Sequence, residues 1–485
     1  MATTDSTPAR SPIEQRSIDY IPARERHGRP WHCTTVWFMC TTNVTVLALG
    51  TVGPLLGLSL LWSVVAIVGG SLFGTIFAAL HSSQGPEMGL PQMIQSRPQF
   101  GYKGAVLIYL IAVLAYIGTT VLAISLMGTA LTSLVDISPE LGMVLVTLLG
   151  IAVAVYGYDL IHRTSRYSSA FLLAAFLVLT VGALSRLGDG AALSDGAGWS
   201  TGAFMAQFIA MASGTLAWAP YVSDYTRYLP KEGGILRSFL ATYLGMALSA
   251  IWMSALAAVI INQFPSTDIV DSFRRAADHM VSGFGTVIVL VSSSGTVIVV
   301  AMSLYGGALT LLSGVTSLVD LRATARLRIQ ATVLLGAICL PIAIAISNDF
   351  QDFLGFYFAA LIYLLAPWTA INLVDFFFVR RGHYSITEIF NPKGIYGSWN
   401  WQGYSVYAIT IAAMYPFMLT PYFSGPVGER LGYDLAPFIG VAVAGLAYLL
   451  MTRDLDLEAE RRIIEAADAD LESRTTQQPD DQMSR

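Results

Sequence analysis

This 485-residue chain has few charged residues: they make up 12% of it, against about 25% in an average soluble protein. Hydrophobic residues make up 54%. So little charge cannot cover a water-facing surface of normal size. Apolar segments of about 20 residues recur from end to end, and each is long enough to cross a hydrocarbon core of about 30 Å. The composition therefore predicts an all-α polytopic membrane protein.

Motifs for enzyme chemistry are also missing. Cys33, Cys40 and Cys339 lie in or beside hydrophobic segments, without metal-ligand spacing or a disulfide framework. There is no His pair at i, i+4, no Gly-x-Ser-x-Gly elbow and no phosphate-binding glycine loop followed by Lys-Ser/Thr. We therefore expect no enzyme activity, no cofactor, no nucleic-acid partner and no obligate protein partner. The expected partners are the lipid bilayer and a small solute.

Ionisable groups are absent from the middle of every apolar segment. Asp224 and Asp375 fall near the inner ends of predicted helices, where we expect water to reach them. His81 and His162 fall in loops or at helix ends and are expected to be solvated. Proton pumps usually hold a carboxylate deep in the membrane. The pattern therefore argues against a charged relay and against a large charged ion-channel pore.

Twelve membrane spans are predicted. Lys and Arg set their orientation, because basic residues concentrate in cytoplasmic loops. With the N-terminus inside, only Arg186, Arg274, Arg275 and Arg430 lie outside, which leaves 23 of the 27 basic residues on one face. Both termini are therefore predicted to be cytoplasmic. The spans are 32–54, 58–80, 104–132, 139–157, 167–186, 201–222, 236–263, 284–317, 329–347, 351–377, 403–421 and 434–452.

The first span is unusually polar. Residues 37–54 read WFMCTTNVTVLALGTVGP, with Asn43 among threonines and a Gly-x-x-Gly-Pro ending. An unsatisfied amide or hydroxyl in hydrocarbon costs several kcal/mol. Such a segment either packs against other helices through small residues and hydroxyls or is a broken helix that exposes its backbone to a solute or ion.

The sixth span carries a similar interruption, at Ser213, Gly214, Thr215 and Pro220. Two interrupted helices five spans apart indicate an inverted-repeat transporter with a site near the membrane midplane. This division predicts five segments of the chain: a cytoplasmic N-tail (1–30), a first repeat with helices 1–5 (31–187), a second repeat with helices 6–10 (188–380), helices 11–12 (381–452) and a cytoplasmic acidic C-tail (453–485).

Two inner loops and the C-tail have patterns of their own. Residues 84–104 are punctuated by glycine and proline, and they form either a structured loop or a surface turn. Asp224 and Arg227 are spaced i, i+3 in the second loop, and as an exposed pair they would contribute under about 1 kcal/mol. The start of the C-tail predicts an acidic, weakly amphipathic helix, more simply solvated than regulatory.

Neutral polar and aromatic residues are what the membrane segments do contain. Amides, hydroxyls and aromatic faces suit a flat, neutral, hydrogen-bonding solute that stacks on rings and needs no counter-charge. The alternative for any one of them is that it holds helices together. The set is Thr41, Thr42, Asn43, Tyr116, Thr119, Thr120, Ser213, Thr215, Trp218, Ser292, Ser293, Ser294, Thr296, Ser303 and Tyr305.

Three of these motifs resemble a known family. Residues 37–54 are similar to the first helix of the nucleobase:cation symporter-1 family, in its purine-cytosine permease branch. GPEMGLPQMIQSRPQFGYKG (85–104) resembles the family's loop between helices 2 and 3, and SDYTRYLP (223–230) resembles its end of helix 6. ERHG at 25–28 also recurs there. The resemblance implies a leucine-transporter-like fold, with a 5+5 inverted repeat plus two C-terminal helices and twelve transmembrane helices in all.

The resemblance also implies a site between helices 1, 3, 6 and 8. It implies a sodium site in which Phe38 and Thr41 supply backbone carbonyls, while the helix-8 positions that supply hydroxyls align with Ile298 and Val299. The side chains expected to bind substrate are Asn43, Tyr116, Thr119, Thr215, Trp218 and Ser303, and Asp224 and Arg227 form the cytoplasmic motif.

The predicted function is cation-coupled import of a nucleobase by alternating access, driven by H+ or Na+, in the plasma membrane. The substrate would be a purine or pyrimidine such as cytosine, adenine, guanine or hypoxanthine, or a similar planar ring. One alternative keeps the fold but transports allantoin, a hydantoin or a vitamin. The other is a membrane receptor that does not transport.

Overall fold

A computed structural model describes residues 17–188, 198–266, 269–420 and 423–477. Over these ranges the chain is helical, with two isolated β-bridges, and every predicted span contains helix. The main helices are α1 (Pro30–Thr41), α2 (Val44–Gly50), α3 (Leu60–Ser82), α4 (Ala105–Leu131), α5 (Pro139–Tyr156), α6 (Tyr158–Gly188), α7 (Thr201–Leu216), α8 (Val222–Thr226), α9 (Ile235–Gln263), α10 (Ile269–Met280), α11 (Phe284–Leu318), α12 (Ala325–Ala345), α13 (Phe350–Val374), α14 (Trp401–Met414), α15 (Ala436–Met451) and α16 (Leu457–Gln477).

Nine helical segments in the described ranges are long and apolar enough to cross a membrane, by length and composition. The other three predicted spans fall on shorter helices: the pair α1 and α2, then α14, then α15. The outer surface carries exposed large apolar side chains, such as Leu110 (55% exposed), Leu148 (58%) and Phe171 (71%). Apolar patches of this kind are typical of a lipid-facing surface, as the composition predicts.

The interior is built by pairs of helices that lie unusually close. Helices α3 and α7 touch at Gly74, where a Cβ would lie 2.2 Å from the Ala212 carbonyl oxygen and 2.2 Å from the Thr215 hydroxyl. Similarly, α2 meets α9 at Gly50, where a Cβ would lie 2.3 Å from the Ser254 carbonyl oxygen. In lipid, helices associate through such close backbone packing rather than through the hydrophobic effect. The two interrupted segments are thereby fixed against long, continuous helices.

The first helix is broken at Asn43, as the sequence predicts. Asn43 has an extended backbone and caps α2, because its side-chain oxygen accepts hydrogen bonds from the Thr45 and Val46 backbone N–H groups (2.9 and 3.2 Å). Its side-chain amide donates to the Cys40 carbonyl. One neutral side chain thus satisfies backbone groups on both sides of the break, which lets the chain leave helical geometry inside the membrane.

The second break lies at Pro220, the last of the four positions predicted for it. Ser213, Gly214 and Thr215 remain within α7, which continues to Leu216. After Trp218 the chain forms a short 3₁₀ turn, Ala219–Tyr221, before α8 begins. Pro220 lies in that turn, where its missing N–H and fixed φ interrupt an α-helix. The proline, and not the small polar residues before it, sets this break.

The inner loop 84–104 is a buried, folded layer, so the surface-turn interpretation of it is wrong. It forms helical turns at Gln84–Met88, Met93–Ser96 and Arg97–Phe100. The expected solvation of His81 is also wrong, since the ring is 0% exposed and stacks on Trp368 at 4.7 Å. Buried amides complete its surroundings and explain how an imidazole is tolerated there.

Asp224 and Arg227 are likewise not an exposed pair: they are 1% and 0% exposed. Asp224 accepts a hydrogen bond from the Gln92 backbone N–H (2.9 Å), and Arg227 donates to the Ser17 carbonyl (2.8 Å). Their spacing on α8 directs them to different neighbours in the inner layer. The motif therefore joins the loop, the N-terminal segment and the second broken helix.

The C-tail forms the predicted helix, and that helix is docked. Glu460 accepts two hydrogen bonds from the Arg380 guanidinium (2.9 and 3.0 Å), and Arg380 also pairs with Asp375 at 2.5 Å. Asp375 is 0% exposed, so the expectation that water reaches it is wrong. Residues 1–16 and 478–485 of the predicted tails, and most of the junction between the predicted repeats (189–197), lie outside the described residues.

Candidate substrate site between the helix breaks

Aromatic rings gather where the second break faces α4. The Tyr221 ring lies 4.2 Å from Tyr116 and 4.8 Å from Trp218, measured between ring centroids. Trp37, on the first broken helix, meets Trp218 edge to face at 6.0 Å. All four are 4% exposed or less. We call Trp37, Tyr116, Trp218 and Tyr221 the aromatic cluster; in this conformation its rings pack against one another at angles that aromatic pairs prefer.

Hydroxyl groups give this cluster a polar edge. The Tyr116 hydroxyl donates to the Pro220 carbonyl (2.6 Å), one of the groups left free by the helix break. The Tyr221 hydroxyl contacts the Ser303 hydroxyl of α11 at 3.3 Å. These partners can donate or accept. The structure thus brings together Tyr116, Trp218 and Ser303, three of the side chains expected to bind substrate, around Tyr221, which was not among them.

A second polar contact lies one turn further along α4. The hydroxyls of Thr119 and Tyr357 are 2.6 Å apart, and Tyr357 also hydrogen-bonds to the Ala115 carbonyl (2.7 Å). Gly118 makes this possible, because a Cβ there would lie 2.1 Å from the Tyr357 ring. Tyr357 belongs to α13, a helix without a sequence signal for the site. Tyr221 had one, since it directly follows the proline of the predicted break.

Two of the predicted contacts point elsewhere. The Asn43 side chain is engaged by the backbone at the first break. The Thr215 hydroxyl is bound by the Met211 and Ala212 carbonyls of its own helix (3.0 and 3.3 Å) and faces Gly74 of α3. In this conformation both residues shape the broken helices rather than line the aromatic cluster.

A cavity of about 280 Å³ opens next to these groups. It is lined by α2, α7, α13 and the segment between α14 and α15. At its wall the Ser213 hydroxyl donates to the Phe358 carbonyl (2.6 Å), and Phe358 directly follows Tyr357 in α13. Leu49 of α2 lines the same cavity.

The cavity also contains a carboxyl group, that of Asp434, which is 8% exposed and follows α14 in the chain. The Tyr363 hydroxyl donates to it, as does the Ala436 backbone N–H at 2.7 Å. Burial raises the pKa of Asp434 to about 6, against the opposing effect of these hydrogen bonds.

One of the two carbonyls implied for a sodium site is already engaged. The Phe38 carbonyl accepts a hydrogen bond from the Thr42 hydroxyl at 2.5 Å. The Thr41 hydroxyl donates to the Trp37 carbonyl and contacts the Ser249 hydroxyl. On α11 the aligned side chains, Ile298 and Val299, are buried and carry no oxygen. A hard cation needs about six oxygen ligands, and these residues offer few.

On the inner side the cluster rests on the buried loop layer. Tyr116 and Asp224 both pack against Gly306 of α11. Next to them Arg227 hydrogen-bonds to the Tyr305 hydroxyl at 3.3 Å. The Gln92 side chain bonds to Gln84 (2.9 Å) within the same layer. The aromatic cluster thus contacts the buried loop layer through Tyr116 and Gly306.

Two broken helices that meet at a buried cluster of rings and hydroxyls, inside an all-helical membrane protein, define a secondary transporter. The permease family for cytosine/purines, uracil, thiamine and allantoin matches residues 20–440. The chain therefore belongs to the nucleobase:cation symporter-1 family, in its purine-cytosine permease branch. It is a multi-pass membrane transport protein and not an enzyme.

Relatives and solved structures agree with this assignment. The purine-cytosine permease homologue YxlA of Bacillus subtilis is 34% identical over 454 residues, which cover 91% of this chain and 96% of that protein. The purine-cytosine permease fcyB of Emericella nidulans is 24% identical, covering 90% and 88%. Mhp1, a nucleobase-cation-symport-1 transporter solved with bromovinylhydantoin bound, superimposes with a TM-score of 0.71 at 20% identity, covering 93% and 99%. The predicted leucine-transporter-like fold is thereby confirmed.

Proposed function

We propose that this chain imports a purine or pyrimidine nucleobase, such as cytosine, adenine, guanine or hypoxanthine. The observation that carries the proposal is the aromatic cluster at the second helix break, where the rings of Tyr116, Trp218 and Tyr221 lie beside the hydroxyl of Ser303. Stacked rings bind a planar solute through its faces, and hydroxyls read the donors and acceptors on its edge.

On this proposal, some of the residues predicted to bind substrate would contact the base, and the others would support the site. Tyr116, Trp218 and Ser303 would contact the base directly, together with Tyr221, and Thr119 with Tyr357 would close the site on the cavity side. Asn43 and Thr215 would act by holding the two breaks in place. Asp224 and Arg227 would support the inner half of the site.

Transport would proceed by alternating access. The base would enter through the cavity of about 280 Å³, pass Leu49 and Phe358, and reach the aromatic cluster. The inner layer formed by residues 84–104 and α8 would then have to open. Relative motion of a broken-helix bundle against its scaffold is the general way in which this architecture moves a midplane site from one side to the other.

We propose cation coupling by H+ rather than Na+. The support is the predicted sodium site itself. Ile298 and Val299 add no side-chain oxygen. The Phe38 carbonyl already accepts a hydrogen bond from the Thr42 hydroxyl. Uptake should then persist when choline replaces sodium and should collapse with a protonophore. Uptake that requires sodium would refute this part of the proposal and would restore Phe38 and Thr41 as ion ligands.

A panel of labelled solutes tests the substrate. Cells that lack their own permeases would express the chain, and uptake of cytosine, adenine, guanine, hypoxanthine and uracil would be compared with that of allantoin, a hydantoin and pyridoxine. Nucleobase uptake competed by other nucleobases is the expected result. Uptake of allantoin or pyridoxine alone would move the substrate to the ring compounds named for the Bacillus subtilis allantoin permease and the Saccharomyces cerevisiae vitamin B6 transporter, which are 22% and 23% identical.

The same panel separates transport from a receptor role. If the chain is present in the plasma membrane and no ring compound is taken up, the transport proposal fails. Tyr221→Ala serves as the site variant, because it removes the ring that joins Tyr116 to Trp218. The matched control is Tyr415→Ala, an exposed tyrosine at the far end of α14, which should leave uptake unchanged.

A further inference from the structure

A second cavity, of about 400 Å³, lies between the N-terminal segment and the start of α6. We call it the basic pocket. Its charged and polar lining comes from both elements: His27 and His32 from the first, and His162, Arg163 and Arg166 from the second. Tyr167 completes the lining side chains. None of the lining residues is an acid, so the pocket collects positive charge.

The two guanidinium groups carry most of that charge. Arg163 and Arg166 are spaced i, i+3 and lie on neighbouring positions of one helix surface. Both are exposed, and within the described residues neither forms an ion pair with a carboxylate. Grouping cations without a counter-charge costs free energy by Coulomb repulsion. An anion bound between them would remove that cost.

Phosphate oxygens fit this set of donors best. A guanidinium presents a planar fork of N–H groups that matches phosphate in a bidentate manner, and a neutral imidazole adds one N–H donor. The nucleobases proposed as substrate are neutral and need no such charge. The basic pocket is also separate from the aromatic cluster, since the two share no residue.

The surroundings favour a lipid as the source of the phosphate. Tyr167 is 66% exposed at the pocket, and Trp31, which contacts the His32 ring at 4.2 Å, is 53% exposed. Tyrosine and tryptophan concentrate at the level of lipid headgroups. One turn further along α6, Phe171 is 71% exposed, as expected for a side chain facing acyl chains. Basic pockets at the ends of membrane helices are a known setting for anionic headgroups.

We propose that the basic pocket binds the phosphodiester group of an anionic phospholipid. The bound group would bridge His27 and His32 on the N-terminal side to Arg163 and Arg166 on α6, and would hold these two elements together. The first broken helix begins at this junction, so its inner end would be anchored to the bilayer surface.

Thermal melting of the purified full-length chain tests the proposal. Phosphatidylglycerol would be added to protein in a neutral detergent, with phosphatidylcholine as the reference lipid. We expect phosphatidylglycerol alone to raise the melting temperature, and Arg163→Gln/Arg166→Gln to lose at least half of that rise. The matched control is Arg322→Gln/Arg326→Gln, which removes two exposed arginines near the start of α12 and should keep the full rise.

Three further results decide the outcome. Equal responses of the two double variants would overturn the proposal, because the effect would then be general charge attraction. Inorganic phosphate that gives the same rise as the lipid would overturn the lipid assignment and identify a free phosphate. If the glutamine variant does not fold, Arg163→Lys/Arg166→Lys replaces it, because lysine keeps the charge but lacks the planar fork of N–H groups. Native mass spectrometry should then show fewer phosphatidylglycerol molecules retained on the lysine variant than on the original chain. Equal retention would count against the proposal. None of these readouts depends on nucleobase transport.

Discussion

Asn43 shows how one amide can hold a break inside a membrane. Its side chain serves backbone groups of α1 and α2 together. A neutral residue suits this place, because a charged one would add a desolvation cost. Asn43 was predicted from the sequence to bind the solute, but its side chain binds the protein's own backbone. Its effect on transport would therefore come from the shape of the break.

We expect Asn43→Ala to abolish uptake while membrane insertion stays intact. The change removes the cap of α2, at a cost of about 1 kcal/mol, and frees backbone donors next to the site. Asn43→Ser is the matched control, since serine also caps helices, and it should keep much of the uptake. Labelled-base uptake, normalised to surface protein, measures both. Normal uptake by the alanine variant would show that transport does not need the cap that Asn43 provides.

Asp434 predicts a pH dependence of stability. Because burial raises its pKa to about 6 in the folded protein, the folded state holds the proton more tightly than the unfolded chain does. The stabilisation is therefore full below about pH 4 and is lost as the pH rises through about 6. About two pKa units correspond to about 3 kcal/mol.

Asp434→Asn should remove this pH dependence. Melting temperatures measured between pH 4 and pH 7 should fall with rising pH in the original chain and fall less in the variant. Asp136→Asn, which changes an exposed loop carboxylate, is the control and should follow the original curve. If the Asp434 variant and the original chain have parallel curves, Asp434 is not the group responsible.

At the scale of elements, the two breaks differ in how far the sequence determines them. The first was predictable at Asn43, because an amide among threonines in an apolar segment has no use on a lipid-facing helix. The second was predicted at Pro220 and also at the small polar residues before it. The earlier positions are wrong, since Ser213 and Thr215 satisfy their hydroxyls within the helix or its neighbour. Only Pro220 removes a backbone donor, and the break follows it.

The inner layer could not be predicted from local sequence. His81, Asp224 and Asp375 lie near helix ends, where exposure is the ordinary outcome. Their burial depends on partners distant in the chain, such as Trp368 stacked on His81. Glycine and proline in residues 84–104 indicated a structured loop, but they carry no information on what covers it. The burial of this layer is decided by contacts between segments that are distant in the chain.

The docked C-terminal helix yields a prediction at this scale. Glu460→Gln would replace the two charge-assisted hydrogen bonds from Arg380 with weaker ones, a loss of about 1.5 kcal/mol. Undocking of α16 should become about tenfold more frequent. Limited proteolysis within Leu457–Gln477 should accelerate accordingly. Glu458→Gln, an exposed neighbour on the same helix, should leave the rate unchanged, and equal rates for both variants would mean that Glu460 does not hold the helix.

For the whole molecule, the fold was predictable because its determinants are local and repeated. Apolar length predicts each helix, and the two interrupted helices five spans apart predict the paired architecture, which the likeness to Mhp1 confirms. The site was predictable only in part. Tyr116, Trp218 and Ser303 come together as expected, whereas Tyr357 approaches Thr119 from a helix more than 200 residues away. No sequence pattern links those two positions.

The orientation of the molecule remains a prediction, and it rests on the distribution of basic residues. The native cysteines do not interfere with a labelling test, because Cys33, Cys40 and Cys339 are all buried. Asp136→Cys and Arg322→Cys each place one exposed thiol in a loop, on faces predicted to be opposite. A membrane-impermeant maleimide should label the first in intact cells and the second only after permeabilisation. The reverse pattern would invert the molecule, and it would place the cavity that contains Asp434 on the cytoplasmic side and the basic pocket on the outer leaflet.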